Sequence, residues 1–457
     1  MEMKKIISLI LAVAMVVSFA AMFSSCTLNP NNPNPVNNQG EKDQDNEKYA
    51  DYTAVPYQAD EEEIYKDYVK LVDGKDVSKV KIGVILVGDE EEGYTLAHIN
   101  GIKKMCEILG INEEEQVVYK KNIPEGEECL DAAKELVADD CKIIFANSFG
   151  HENYMIQAAK KYKKVQFCHA TGYQAAMSNL DNFTNYFNNV YESRYISGIY
   201  AGYKLNELAE EKPEIVKDGK ITIGYVGAYT YAEVISGYTA FYLGVKSVCK
   251  NNVEMKVKYT GSWANQAFEN DAANALINEG CVLVSQHADT TGAASACEAA
   301  GVYDVGYNVT MTEAAPNYAI TSATLNWASY YTYAIANFIA GEKLSTDWSE
   351  GYKTGAVKIT DVNKAAFSKA ETYNNAVNAA NKAIEAMIKG ELHVFDTSTW
   401  TVEGKEITGT KKLEGFNGIQ YIKKDENGVR YFAESTIASA PSFSFKIDGI
   451  VELNTEF

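Results

Sequence analysis

Positive charge, histidine and proline are what this chain of 457 residues is short of. Its 42 lysines and arginines face 62 aspartates and glutamates, a formal net charge of −20. That balance argues against nucleic acid or an anionic membrane surface as the main partner, because phosphate contacts need clustered Lys and Arg. With 5 His in all, a histidine-rich metal site is not expected. Eight Pro and 32 Gly are too few for a collagenous or low-complexity chain. The spacing signatures of catalysis are missing too: there is no GxGxxG, no HExxH and no CxxC. GDEEEGY (88–94) has the glycine spacing of a phosphate loop, but Tyr94 stands where Lys is needed and the acidic side chains would repel phosphate. NSFGH (147–151) lacks the glycine before the serine that a nucleophile elbow requires. An enzyme is not expected, and neither a cofactor nor a metal is implied.

What is present begins with an export signal. Lys4 and Lys5 precede an apolar run over 6–23, followed by Ser24, Ser25 and Cys26. The run is long enough for a membrane helix. The small-small-Cys ending favours a cleaved signal over 1–25 instead, in the manner of a bacterial lipobox, with Cys26 lipidated. Residues 27–48 hold Asn, Pro and charge with a single apolar residue, Val36. Such a stretch cannot bury enough surface to offset its ordering entropy, so 26–50 reads as a lipid-anchored spacer. The location expected is the cell membrane, on its extracytoplasmic side.

From residue 80 the pattern alternates. Apolar runs such as VKIGVILVG (80–88), CKIIFAN (141–147) and KVQFCH (164–169) read as buried strands, with helical spacing over 95–109, 126–138 and 151–162 between them. After a long helix over 191–210 the alternation restarts, with strands at 221–227, 253–259, 281–286 and 302–308. Two tandem units of this kind predict two α/β lobes with parallel sheets. Residues 318–341 read as a strand then a helix, 366–390 as an Ala- and Asn-rich helix, and 391–457 as strand-like with a hairpin at Asn427-Gly428. The boundaries expected are an N-terminal extension over 51–79, a first lobe of 80–188 plus 309–345, a second of 189–308 plus part of 346–390, and a C-terminal β-rich extension over 391–457. Seven cysteines besides Cys26, several in strand-like runs, read as small buried hydrophobes.

In open α/β sheets ligands gather at the carboxyl ends of the strands. The loops at those ends are rich in aromatic and short polar residues, a composition suited to a flat, partly polar ligand.

Those loops carry a recognisable order. GDEEEGYTLAHIN (88–100), NIPEG (122–126), NSFGH, HATGY (169–173), YESRYISG (191–198), AEVISG (232–237), GSWANQ (261–266), QHADTTG (286–292) and GVYDVGYNVTM (301–311) follow one another over about residues 80–345. On these segments the chain resembles the basic membrane protein (BMP) family, lipoproteins that serve ABC importers as substrate-binding components, and within it the branch that binds purine bases. The resemblance implies a type I periplasmic-binding-protein fold, two Rossmann-like lobes with a hinge and an inter-lobe cleft. It implies delivery of the ligand to ABC permease and ATPase subunits. By position it assigns base stacking to Tyr94 and Trp263, edge reading to Asp289, cover of a ring face to Phe149, and a further polar contact to Asn308. Tyr94 replaces the family's usual Trp and Asn308 its usual Asp, so weaker stacking and a shifted purine preference are implied. Plainer readings exist: Asp289 as the cap of a helix over 290–300, Trp263 as lobe packing, Phe149 as core. Other readings of the whole are a purine nucleoside receptor, against which the lack of a Lys after TSATL (321–325) counts, and a surface sensor of such ligands.

Overall fold

In a computed structural model the described residues are 48–411 and 418–457. The export signal, Cys26 and the spacer up to residue 47 lie outside them. Residues 51–457 form one unit. Two sheets organise it. The first comprises β1 (Ile82–Ile85), β2 (Val117–Lys120), β3 (Ile143–Ala146), β4 (Gln166–Ala170), β5 (Phe183–Tyr186) and a short β11 (Asp347–Trp348), in the order β11-β5-β4-β3-β1-β2. All its pairings are parallel. The second comprises β6 (Lys220–Gly227), β7 (Asn252–Tyr259), β8 (Leu283–Gln286), β9 (Tyr303–Tyr307), β10 (Ala319–Leu325), β12 (Val357–Ile359) and β15 (Ile450–Glu452), in the order β12-β10-β9-β8-β6-β7-β15. Only the β10–β12 edge pair is antiparallel. The central strands are buried on both faces, which is why they read as continuous apolar runs. The fold is the two-lobed α/β architecture expected.

Helices cover the faces. On the first lobe lie α1 (Glu61–Val72), α2 (Gly93–Leu109), α3 (Glu127–Ala138) and α4 (Glu152–Lys161). On the second lie α5 (Val190–Glu211), α6 (Ala232–Val248), α7 (Gln266–Asn278) and α8 (Gly292–Ala300). α9 (Trp327–Ala340) returns to the first lobe, where Trp327, Tyr330 and Tyr331 join the core with Val84 and Ile99. α10 (Ala370–Ile388) packs on the second. Its asparagines have a purpose. Asn374 and Asn381, two turns apart, accept from the backbone N–H of Ala54 (2.9 Å) and Tyr57 (2.8 Å) and donate to the carbonyls of Asp51 and Val55. They tie the start of the N-terminal extension along the helix.

Three features differ from the sequence reading. A strand appears at 183–186, where the Asn-flanked FTNY shows no apolar run. The strand of 318–341 joins the second sheet beside β9, while the helix after it packs on the first. Residues 393–408 alternate like a strand yet form only isolated bridges; Phe395 and Trp400 instead bury their rings, both against Phe443 and Phe395 also against Tyr191 of α5. The hairpin at Asn427-Gly428 forms as expected, joining β13 (Ile422–Lys424) to β14 (Arg430–Phe432).

The chain crosses between the sheets at 187–189, at Asn326 and at 349–356. These segments are stitched together. Phe187 N–H donates to Trp348 O (3.0 Å), Asn189 N–H to Glu350 O (2.8 Å) and Asn326 N–H to Ala356 O (2.8 Å). The buried Asn188 amide donates to the carbonyls of both Asn326 and Ala356. This is the hinge, and it is made of the segments that follow β5, β10 and β11.

Of the seven cysteines described, none is in a disulfide and all but Cys249 are buried. Burial pushes the Cys106, Cys129 and Cys281 thiols up to about 12, so they are unreactive packing groups. No helix among the described residues is long and apolar enough to cross a membrane.

Candidate functional site

Between the lobes lies a cavity of about 530 Å³, formed by the loops after β1, β2, β3, β4, β6, β7 and β8 and by Tyr307 at the end of β9. Tyr94, Phe149, Trp263 and Asp289 all line it. Asn308 does not. It lies behind the wall in the left-handed region (φ 63°) and donates through Nδ2 to Asp289 Oδ1 at 2.6 Å.

Each side chain is set by its local fold. Tyr94 occupies the first turn of α2, its hydroxyl donating to Asn147 O at 2.6 Å. Its ring meets His98 edge-on at 4.6 Å, and His98 in turn stacks on Trp327 at 3.8 Å. Tyr94 is thus mostly core and shows the cavity only part of its ring. Asn147 is itself pinned, accepting from Val87 N–H at 3.0 Å. Trp263 sits in the turn before α7, with Tyr229 against it at 5.1 Å and Tyr231 at 5.9 Å. Phe149 approaches Tyr231 across the cleft at 5.5 Å. Tyr229 widens the aromatic wall beyond the Tyr94, Trp263 and Phe149 that the sequence singled out, and Tyr231 stands between Phe149 and Trp263.

Asp289 does not cap α8. That helix starts at Gly292, whose N–H is taken by Thr290 Oγ1, and Thr291 is the capping residue. Asp289 instead points its carboxylate to the cavity wall while its backbone joins the lobes: its N–H donates to Trp263 O (2.9 Å) and its carbonyl accepts from Gly93 N–H (3.2 Å) at the start of α2. The loop behind it is braced. Glu269 accepts from the backbone N–H of Thr290 and Asn265 at 3.2 Å, and Gln286 Nε2 donates to the carbonyls of Ala288 and Thr290. Arg194, fully buried on α5, donates to Gln286 O at 2.5 Å and lies flat over the Tyr307 ring at 3.8 Å. Tyr307 lines the cavity, and its buried hydroxyl has no protein hydrogen-bond partner.

The electrostatics are one-sided. Burial pushes the Asp289 carboxyl well above the usual carboxylate range, helped by Glu92, Glu269 and Glu233 and opposed by Arg194. Burial likewise raises Glu92, and Glu269 to about 7. His287, which meets Glu233 Oε1 at 3.3 Å, is held down at about 4 by burial and Arg194, so it is a neutral donor or acceptor. Glu233, His287, Tyr307 and Arg194 were legible only as members of loop motifs. Their roles depend on contacts between α5, α6, β8 and β9 that no spacing discloses.

A second chamber of about 720 Å³ adjoins the first. Phe149, Thr171 and Glu233 line both. Its outer wall is the C-terminal extension, through Ala440, Pro441, Ser444 and Phe445. Among the described residues no group of His, Cys, Asp and Glu could hold a metal ion.

Comparison with known proteins agrees with this architecture. Residues 79–391 match the family model Bmp, described as ABC transporter substrate-binding protein PnrA-like. A purine-binding protein of Brucella abortus is 31% identical over 337 residues, covering 72% of this chain and 88% of that protein. A putative ABC transporter glucose-binding protein of Haloferax volcanii is 31% identical over 222 residues, 49% of this chain and 52% of that one. Among solved structures, a solute-binding protein of an Aeropyrum pernix ABC transporter superposes with a TM-score of 0.57 at 15% identity, over 69% of this chain and 93% of that one. One from Conexibacter woesei does so with a TM-score of 0.55 at 17% identity, over 69% and 98%. Fold and sequence together place this chain in the Bmp family of PnrA-like ABC transporter substrate-binding proteins, extracytoplasmic solute receptors rather than enzymes.

Proposed function

We propose that the protein is a lipid-anchored receptor that holds a purine base or related heterocycle in the inter-lobe cleft and hands it to an ABC permease. The observation that carries this reading is an aromatic wall, Trp263 with Tyr229 and Phe149, beside the buried carboxylate of Asp289. Stacking on an aromatic face is worth about 1–3 kcal/mol per base. A buried carboxylate left without its donor is costly, so it discriminates between ring edges. Tyr94 adds a ring edge, and Asn308 acts as a positioning residue that fixes the Asp289 rotamer. The purine-binding relative from Brucella supports the ligand class. Anchoring rests on the SSC ending at Cys26; incorporation of a palmitate probe, lost in Cys26→Ser, tests it.

Titration calorimetry on the full chain, unfolded and refolded to strip co-purified ligand, tests the ligand. Saturable binding of a free base is expected near micromolar, about −8 kcal/mol, weakened in Trp263→Ala and lost in Asp289→Ala. Silence from every base would refute it. A nucleoside receptor is favoured by one observation, the adjoining chamber, which offers room for a sugar beyond Phe149. Binding of adenosine or guanosine without their bases would select that reading.

A further inference from the structure

Two of the aromatic side chains that line the cavity stand on neighbouring loops. Tyr229 follows β6 and Trp263 follows β7. The loops are paired with each other: Thr260 N–H donates to Gly227 O and Gly261 N–H to Ala228 O, both at 2.9 Å. On the cleft side, the Trp263 carbonyl accepts from Asp289 N–H at 2.9 Å. On the outer side, the loops are held by a segment far away in sequence.

That segment begins with β15, which runs parallel to β7 at the sheet edge, Leu453 N–H donating to Val257 O at 2.8 Å. Asn454 then closes the end of the ladder. Its Oδ1 accepts from Tyr259 N–H (2.8 Å) and its Nδ2 donates to Tyr259 O (3.0 Å), so a side-chain amide stands in for a further backbone pair. From there the chain reaches both aromatic-bearing loops. Phe457 O accepts from the N–H (3.4 Å) and from the hydroxyl of Thr230, which sits between Tyr229 and Tyr231. The Phe457 ring lies on Gly261, where a Cβ would stand 2.6 Å from it and where φ is 71°. Space and backbone conformation both call for glycine there. Residues 450–457 lie beyond the matched family region, so this brace is an addition of the C-terminal extension.

We propose that the segment 450–457 positions the aromatic wall of the cleft, with Phe457 as the positioning residue for Tyr229 and Trp263; its effect on affinity rests on the purine reading above, its effect on the wall does not. A ring already held in place stacks on a ligand without a further ordering cost, whereas a loose loop must be ordered at the moment of binding. Phe457 is itself 45% exposed, so its ring contributes to the order of two loops and little to the core.

The protein carries its own reporter. Of its 4 Trp, Trp327, Trp348 and Trp400 are buried and Trp263 is half-buried, so acrylamide quenching of the refolded, ligand-free full chain reads Trp263 foremost. In Phe457→Ala the quenching constant is expected to rise, and in Phe457→Tyr, which keeps the ring, to stay at the wild-type value. Val451→Ala, at an exposed position of β15, is expected to leave it unchanged. Melting temperatures of all three are expected to stay within about 2 °C of the wild type, since each substitution is at the surface. Asn454→Ala, which frees the segment from Tyr259, is expected to raise the constant as Phe457→Ala does. In titrations with guanine, adenine, hypoxanthine and xanthine, a base that the wild type binds is expected to bind Phe457→Ala about 3- to 10-fold more weakly, part of the worth of one stacked base. A constant unchanged in both Phe457→Ala and Asn454→Ala, or raised equally by Val451→Ala, would overturn the inference. So would a raised constant with undiminished affinity. If no base binds the wild type while the constant rises as expected, the purine reading fails and the positioning of the wall stands.

Discussion

Asp289 is a carboxyl whose surroundings favour its protonated form and whose charged form an N–H-bearing ligand would favour. Its pKa is raised first by burial and then by Glu92 ahead of α2, Glu269 on α7 and Glu233 on α6, with Arg194 on α5 opposing. His287, near 4, stays neutral through the physiological range and adds no competing proton. Ligand donors favour the charged form, so binding expels a proton. The sign follows: affinity for a base that donates N–H to Asp289 rises with pH and levels off above the pKa of the free protein. Calorimetry in two buffers of different ionisation heat reads the proton directly, and an identical heat in both would contradict the account. Asp304 shows the same physics without a ligand. Both its carboxyl oxygens are buried with no hydrogen-bond partner, and burial raises its pKa to about 8. A carboxyl raised above its unfolded value binds more protons folded than unfolded, so its contribution to stability falls as pH rises from about 4 to 8. Asp304→Asn removes the charge. We expect a gain of roughly 1–3 kcal/mol at pH 8, shrinking toward pH 4, in denaturant melts at both values.

At the scale of the element, α5 and α6 pack backbone against backbone. A Cβ built on Gly198 would stand 2.2 Å from Phe241 O, and one on Gly244 2.0 Å from Tyr195 O, so the two backbones touch and neither can yield. Gly198→Val is expected to cost more than about 4 kcal/mol or abolish folding, whereas Gly390→Ala, beyond the end of α10, meets open space and costs only about 1 kcal/mol for its left-handed backbone (φ 72°). A melting temperature unchanged in Gly198→Val would refute the contact. The sequence made α5 visible by its length and α6 by its apolar content, but Gly198 was legible only as a motif letter and Gly244 not at all. Elements whose signal is local were readable: buried parallel strands as apolar runs, and α2 with its stop at Gly110, where φ is 69°. Elements defined by their neighbours were not. β5 is polar in sequence because β4 and β11 supply its context, and β11 is two residues long. The cleft residues divide in the same way. Trp263 and Asp289 stand out as polar or aromatic residues after strands, while the place of Asn308 behind the wall depends on a left-handed backbone and one hydrogen bond across the loop.

Opening of the whole molecule must work against more than the hinge. Glu434, buried on the second lobe, accepts from Ser236 Oγ on α6 (2.9 Å), from Ser442 N–H and Oγ, and from Phe443 N–H (3.0 Å). These bonds fix both ends of the loop 434–443 to that lobe. Its tip reaches the other. Ser439 N–H donates to Asp347 Oδ1 at 3.0 Å, at the start of β11, and its hydroxyl to Gly172 O at 3.4 Å. Ser439 is fully buried, so these bonds are sheltered from water. The loop is therefore a strap from the second lobe to the first, built from residues beyond the matched family region and walling the outer chamber. A sheltered hydrogen bond to a carboxylate contributes about 1.5–3 kcal/mol, and the strap contributes it to the closed arrangement alone. Asp347→Ala removes it without touching the cleft. The ligand-free variant is then expected to shift toward open lobes, with a larger radius of gyration in small-angle scattering. Its ligand affinity falls by up to about tenfold, because binding must now supply the closure that the strap had biased. With saturating ligand the scattering curves of variant and wild type converge. Equal radii without ligand would show that the hinge asparagines set the lobe angle and that the strap merely rides on it.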